Sequence, residues 1–190
     1  VSENKLLFRT IHGSRLYGLA NENSDYDYWE VYSNKIPSPA KDIQQKIAGK
    51  SDVVKMNLST FMLYANRSSH QVLDCMFSTK AEFDLLSDFR NNFYINTATF
   101  VPLYQRTIKA FGIRDESDGE PKYVLKSKRH ALRMYYQLQD GLEHGRFNPT
   151  LTEERAQFLL NASESVLTEA LEETGLLSEQ SLTQAPKTSL

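Results

Sequence analysis

A chain of 190 residues with 40% hydrophobic residues, 10 Tyr and 10 Phe carries enough packing material for a core, which excludes a disordered chain. A formal net charge of -2 excludes a global basic footprint, so any nucleic-acid contact has to be local. The single Cys75 excludes an internal disulfide framework and a multi-cysteine zinc site, and the sequence holds neither a membrane-length apolar run nor a signal-peptide core at its N-terminus. The expectation is a soluble, cytoplasmic protein with no membrane partner, folded as one compact unit.

In chain order, Leu6 to Ile11 reads as a strand, Gly13 and Ser14 as a tight turn, and Arg15 to Ala20 as a short helix. A helix opening after Gly13-Ser14 aims unpaired N–H groups at the turn, which favours an anion. Asp25 and Asp27 follow on a strand-like run, Asp-Tyr-Asp-Tyr-Trp-Glu-Val-Tyr, where residues i and i+2 share a face. Two like charges that close repel unless a cation lies between them, and oxygen ligands of this kind suit Mg²⁺. A polar turn before an edge strand is the plainer reading of an isolated Asp-x-Asp.

The phrase His12-Gly13-Ser14-Arg15-Leu16-Tyr17-Gly18, followed by Ser24-Asp25-Tyr26-Asp27, resembles the GS…DxD signature of the DNA polymerase β-type nucleotidyltransferase superfamily. The wider wording is similar to its bacterial and phage "predicted nucleotidyltransferase" branch. The resemblance covers the first eighty residues well and the rest loosely. It implies that Asp25 and Asp27 hold two Mg²⁺ ions, with Mn²⁺ as a substitute, and that Gly13, Ser14, Arg15 and Ser24 contribute to nucleotide binding.

Asn34 to Lys50, with Pro37, Pro39 and Gly49, reads as a long surface loop, either a cover for a nucleotide or a variable insertion. Ser51 to Met56 is the next strand, centred on Val53 and Val54. By the resemblance, Asp52 at its start is the third carboxylate, sharing a metal and promoting deprotonation of an acceptor hydroxyl. A strand-end Asp is the alternative. Leu58, Phe61, Met62 and Ala65 then mark one buried helical stripe, capped by Asn57 or Ser59.

The run Ser68 to Phe77 resembles the family's following helix, with Ser68-Ser69 where Asn-Pro is expected and Asp74 where Glu is expected. Asp74 is therefore read as a support for the site or as an ordinary surface or capping residue, and His70 as a helix-start residue rather than a metal ligand. Lys80 to Asn96 suggests one or two short helices. Phe100 or Val101, Tyr104, Ile108 and Phe111 line a helix ended by Gly112, and Arg114 to Pro121 reads as a solvated acidic linker.

Lys122 to about His144 reads as a long helix with Val124, Ala131, Tyr135, Leu138 and Leu142 on its apolar stripe. Lys126, His130, Arg133 and Gln137 form a basic row beside it, placed either to look into a cleft or to cover the core edge from solvent. Cations there would meet charge developing on a pyrophosphate leaving group, and the resemblance adds Lys126, His130 and Arg133 to the nucleotide-binding set. Gly145 to Pro149 breaks the helix. Thr150 to Glu153 fits a capping box for one further acidic helix, lined by Ala156, Leu160, Ser163, Leu167 and Ala170.

The expected fold is α/β, a small mixed twisted sheet with a helical C-terminal half. The expected division is a nucleotidyltransferase core over 1–80, a helical half over 81–175 packed on it, and a tail over 176–190. The expected activity is Mg-dependent transfer of a nucleoside monophosphate from a nucleoside triphosphate to an acceptor hydroxyl, with release of pyrophosphate. The sequence does not choose among an RNA or tRNA end, a protein and a small molecule as acceptor, and leaves the oligomeric state open. The alternative is a catalytically inactive nucleotidyltransferase fold acting as a nucleotide sensor or partner-binding protein.

Overall fold

The structure is a computed structural model that describes residues 4–34, 43–48, 51–115, 117 and 119–178, with 43–48 described as backbone. Strands β1 (Leu6–His12), β2 (Tyr26–Tyr32), β3 (Ile43–Ala48), β4 (Ser51–Asn57) and β5 (Ala81–Asp84) form one mixed sheet in the order β3-β4-β2-β1-β5. β2 and β4 run parallel, and the remaining neighbours are antiparallel.

The register puts Phe8, Thr10 and His12 of β1 on the same face as Val31, Trp29 and Asp27 of β2, and those beside Met56, Val54 and Asp52 of β4. Phe8, Trp29, Val31 and Met56 are buried and make the sheet's part of the core. At the other end the same face carries His12, Asp27 and Asp52. The pleat that builds the core thus also lines up two carboxylates on adjacent strands.

Helix α1 (Ser14–Tyr17) is a single turn between β1 and β2, shorter than the helix expected to Ala20, because Gly18 takes the left-handed conformation and ends it. Helices α2 (Leu58–Asn66) and α3 (His70–Met76) pack on the sheet's core face. Asn57 caps α2 by accepting from the Thr60 N–H at 2.8 Å. The buried face of α2 is Thr60, Phe61 and Ala65; Met62, expected in the stripe, is 43% exposed. Asn57→Ala is expected to lower stability by about 1 kcal/mol, read as a fall in the urea midpoint at unchanged slope.

Two stretches differ from expectation. Residues 43–48, expected within a loop, are strand β3, and residues 81–84, expected to be helical, are strand β5. Both are edge strands, and neither Ile-Gln-Gln-Lys-Ile-Ala nor Ala-Glu-Phe-Asp has the β-branched run that marks a strand by composition. Pairing with β4 and β1 supplies what composition does not. The rest of the expected loop, 35–42 and 49–50, lies outside the described residues, as does the tail beyond 178.

After α4 (Ser87–Asn91), the long helices α5 (Thr97–Gly112) and α6 (Pro121–His144) pack together through Phe100, Tyr104 and Ile108 and through Ala131, Met134 and Leu138. α6 also buries Lys128, Arg133 and Gln137, while Leu142 of the expected stripe is 54% exposed. Lys128 Nζ donates to Gly112 O at 3.0 Å, capping the carbonyl end of α5.

The expected final helix is two, α7 (Glu153–Asn161) and α8 (Glu164–Glu173), separated at an extended Ala162 and restarted by Ser163, which accepts from the Val166 N–H. The cap of α7 is Thr152, not Thr150. Thr150 instead donates to Leu16 O at 2.7 Å, tying the α6–α7 connection to the turn of α1.

Candidate active site

A cleft of about 610 Å³ lies between the β1–β2 connection and the N-terminal half of α6. Gly13, Ser14, Ser24, Asp25 and Asp27 line one side, and Lys126, His130 and Arg133 the other, with Lys122, Tyr123 and Arg129 alongside. Eight of the sequence-predicted site residues thus share one wall system. Arg15 and Asp52 are not among the lining residues.

Gly13 is the conformational key to the first wall. Its backbone has φ +68°, and a Cβ there would collide with Asp27 Oδ2, so only glycine lets the turn pass this close to the carboxylate. Arg15 holds the next stretch: its Nη2 donates to Ser24 O at 2.8 Å and its guanidinium stacks 3.7 Å from the Tyr26 ring centre. Ser24 and Asn21 close a turn, with the Asn21 N–H donating to Ser24 Oγ at 2.9 Å. Arg15 therefore fixes the backbone that carries Asp25.

Asp25 sits one residue before β2 and is exposed, while Asp27 is half-buried and pairs in register with Asp52 on parallel β4. Adjacent strands lie about 4.8 Å apart, so these two carboxyl groups are direct neighbours. Burial raises the pKa of Asp27 above the usual carboxylate value and Asp52 raises it further; His12 and Lys126 pull it down by less, and Asp25 adds slightly to the rise. Among the described residues, no three His, Cys, Asp or Glu groups already converge at metal-binding geometry.

Behind the cleft lies a buried polar knot that the sequence reading largely missed. Asp74 of α3 is fully buried, which overturns its reading as a helix-surface residue. Tyr17 donates its hydroxyl to Asp74 Oδ2 at 2.9 Å, and Gln137 Nε2 donates to Oδ1 at 2.8 Å. Arg133 Nη1 and His12 Nε2 lie 3.6 and 3.7 Å from Oδ2. Burial pushes the Tyr17 hydroxyl well above its ordinary pKa, so it stays a donor.

Arg133 is 1% exposed and lies 3.7 Å over the Tyr17 ring. Its Nη2 donates to His130 Nδ1 at 2.7 Å, and its buried Nη1 makes no hydrogen bond among the described residues. An unsatisfied buried N–H is costly, by ~1–3 kcal/mol, and this one belongs to a side chain on the cleft wall. Burial, then Arg133 and His70, hold His130 at a pKa of about 2, so it is neutral, and with Nδ1 accepting it carries its proton on Nε2. The expected basic row is thus two cations and a neutral donor, with Gln137 turned to Asp74.

The model of the RlaP family, described as the RNA repair pathway DNA polymerase beta family, matches residues 1–174. Among solved structures, a nucleotidyltransferase-like protein from Exiguobacterium sibiricum 255-15 is 14% identical with a TM-score of 0.37, covering 95% of this chain and 70% of that one. No curated protein is significantly similar to the chain. Among the described residues, no helix is long and apolar enough to cross a membrane.

Proposed function

The chain belongs to the RNA repair pathway DNA polymerase beta family, and from that premise we propose that it transfers a nucleoside monophosphate from a nucleoside triphosphate to a hydroxyl at an RNA end. The observation that carries this reading is the in-register pair Asp27–Asp52, of which Asp27 lines the cleft beside the glycine-serine turn and opposite Lys126 and Arg133.

The donor set fits a hard divalent cation of the Mg²⁺ or Mn²⁺ kind. Asp25, Asp27 and Asp52 offer only carboxylate oxygens; burial first and Asp52 next raise the Asp27 pKa, and a cation between the carboxylates would offset both. Bound there, such a cation supplies charge for the attacking and leaving oxygens of an in-line displacement. The protein's own groups do the rest. Ser14 and the N–H groups opening α1 receive the triphosphate, and Lys126 and the Arg133 guanidinium on the cleft wall meet its charge.

The acceptor oxygen forms a bond to the α-phosphorus as the bond to the bridging oxygen of pyrophosphate breaks. Asp52 takes the acceptor's proton, and Lys126 and Arg133 stabilise charge gathering on the departing pyrophosphate. Neutral His130 donates a hydrogen bond without adding charge.

The test is incubation with α-labelled nucleoside triphosphates, a divalent cation and a short RNA. Label joined to RNA with stoichiometric pyrophosphate is expected. Nucleotide binding without any transfer to RNA, protein or small solutes would contradict the reading and favour a sensor.

Gly13→Ala is expected to lower kcat/KM by ~10²-fold, because the added methyl displaces the Asp27 carboxylate by the order of an ångström. Gly18→Ala, at φ +83° with its nearest neighbour 4.0 Å away, shares the backbone strain without the collision. It is expected to lower stability by about 1–2 kcal/mol while kcat/KM changes little.

A further inference from the structure

Beside the cleft is a second, smaller chamber of about 340 Å³, lined by Tyr17, His70, Gln71, Phe111, Arg114, Tyr123, Lys126, Ser127 and His130. It shares Tyr17, Tyr123, Lys126 and His130 with the cleft, so a ligand whose phosphates lie against Lys126 can reach into it. The acidic reading of the 114–121 linker accounts for none of this wall.

The lining has two properties. It is rich in rings: Phe111 meets His130 edge-on at 4.5 Å between ring centres, His70 meets His130 at 5.4 Å, and Tyr17 and Tyr123 complete the set. Such walls take a flat aromatic ligand by stacking. It is also rich in donors, and among the described residues none of its lining groups is a carboxylate. Arg114 spends Nη1 on Ser127 Oγ at 3.1 Å, lies 4.8 Å from the Phe111 ring centre, and has four further N–H groups. Lys126 and the Nε2–H of His130 only donate, while Gln71, His70, Ser127 and the tyrosine hydroxyls can do either.

We propose that this chamber receives the nucleobase of the incoming nucleoside triphosphate, and that its Arg114-bearing, donor-rich wall selects guanine. Guanine presents two adjacent acceptors, O6 and N7, the pair that an arginine fork matches, whereas adenine places a donor beside its N7 and has no such pair. Tyr123 is 57% exposed at the boundary of both cavities and serves as the stacking surface for any base. This inference rests on the nucleotidyl-transfer reading for the position of the triphosphate.

The experiment is calorimetric binding of GTP, ATP, CTP and UTP with Mg²⁺ and no acceptor, for the parent chain and for Arg114→Ala, Arg114→Lys and Tyr123→Ala. The parent is expected to bind GTP about 5-fold or more tighter than ATP. Arg114→Ala and Arg114→Lys are expected to remove that advantage while changing ATP binding by less than about 2-fold, and Tyr123→Ala to weaken all four together. Arg114 is exposed, so its replacement leaves the core intact. Equal binding of the four by the parent, or equal weakening of all four by Arg114→Ala, overturns the chamber's role and leaves nucleotidyl transfer standing. No binding of any triphosphate overturns that reading instead. If, in the labelled-transfer assay with RNAs of different terminal base, Arg114→Ala alters preference for that base while the calorimetry shows no change for the triphosphate, the chamber belongs to the acceptor and the proposal fails.

Discussion

Asp27→Asn and Asp52→Asn are each expected to lower kcat/KM for nucleotidyl transfer by ~10³-fold or more, because under the proposed mechanism each would remove metal-supported charge stabilisation of several kcal/mol at a tenfold rate per 1.36 kcal/mol. The same substitutions are expected to leave thermal stability unchanged or to raise it when no divalent cation is added. Burial and the neighbouring Asp52 hold the Asp27 pKa above its ordinary value. The folded state therefore keeps the Asp27 proton to higher pH than the unfolded chain does. Stability contributed by that proton is lost as pH rises through the folded value, and above it the ionised Asp27 carboxylate opposes folding. Asn at either position removes the repulsion. Adding Mg²⁺ should stabilise the parent by binding linkage and leave the variants flat. Thermal melts with and without Mg²⁺, alongside steady-state rates, check both halves; a variant that melts lower and still responds to Mg²⁺ would show that the pair is structural.

Asp74→Asn is expected to be the most damaging change to the scaffold. Burial alone would raise the Asp74 pKa, but Arg133 first and His12 next overcome it and hold the carboxyl at about 2, below its ordinary 3.8. A depressed carboxylate contributes stability that is present above about pH 4 and lost as pH falls toward 2. The amide keeps the shape and loses the charge. Arg133, 1% exposed, is then buried without its counter-charge, a loss of about 3–5 kcal/mol, or ~10 °C in Tm for a chain of this size. Urea unfolding at neutral pH is expected to show that gap, and acid titration to close it between about pH 4 and 2. Asp74→Asn combined with Arg133→Met should recover much of the stability but none of the activity. If the parent and Asp74→Asn differ equally at neutral pH and near pH 2, the stability comes from shape and hydrogen bonding rather than from the ion pair.

The parts of this fold that could be read from the sequence are those fixed by local spacing. His12 to Asp27 sets a turn between two strands within one short segment, and Val53-Val54 announces β4 with Asp52 at its head. The stripes of α5 and α6 follow from helical periodicity, except that Tyr135 is only half-buried and Leu142 is exposed. What escaped depends on distant partners. β3 and β5 are strands because β4 and β1 bind their backbones, not because of their composition. The break at Ala162-Ser163 is hidden because apolar residues keep a helical rhythm across it while Ser163 restarts the hydrogen bonding. The polar knot is the plainest case: Asp74 bonds to residues 57 and 63 positions away, and a periodicity reading assigns such polar side chains to solvent. Arg133 was found as a cleft residue through its place beside the apolar row, but its complete burial and its tie to Asp74 could not be read from that row.

The measurement closest to the central claim is Mn²⁺ binding followed by electron paramagnetic resonance, with a nucleoside triphosphate present, in the parent chain and in Asp27→Asn/Asp52→Asn. The parent is expected to draw free Mn²⁺ out of solution, and the double substitution, still folded by circular dichroism, to leave it free beyond what the nucleotide itself binds. Equal Mn²⁺ uptake by both proteins would contradict that claim, because the ion would then sit somewhere other than on the two carboxylates that the sheet's register brings together.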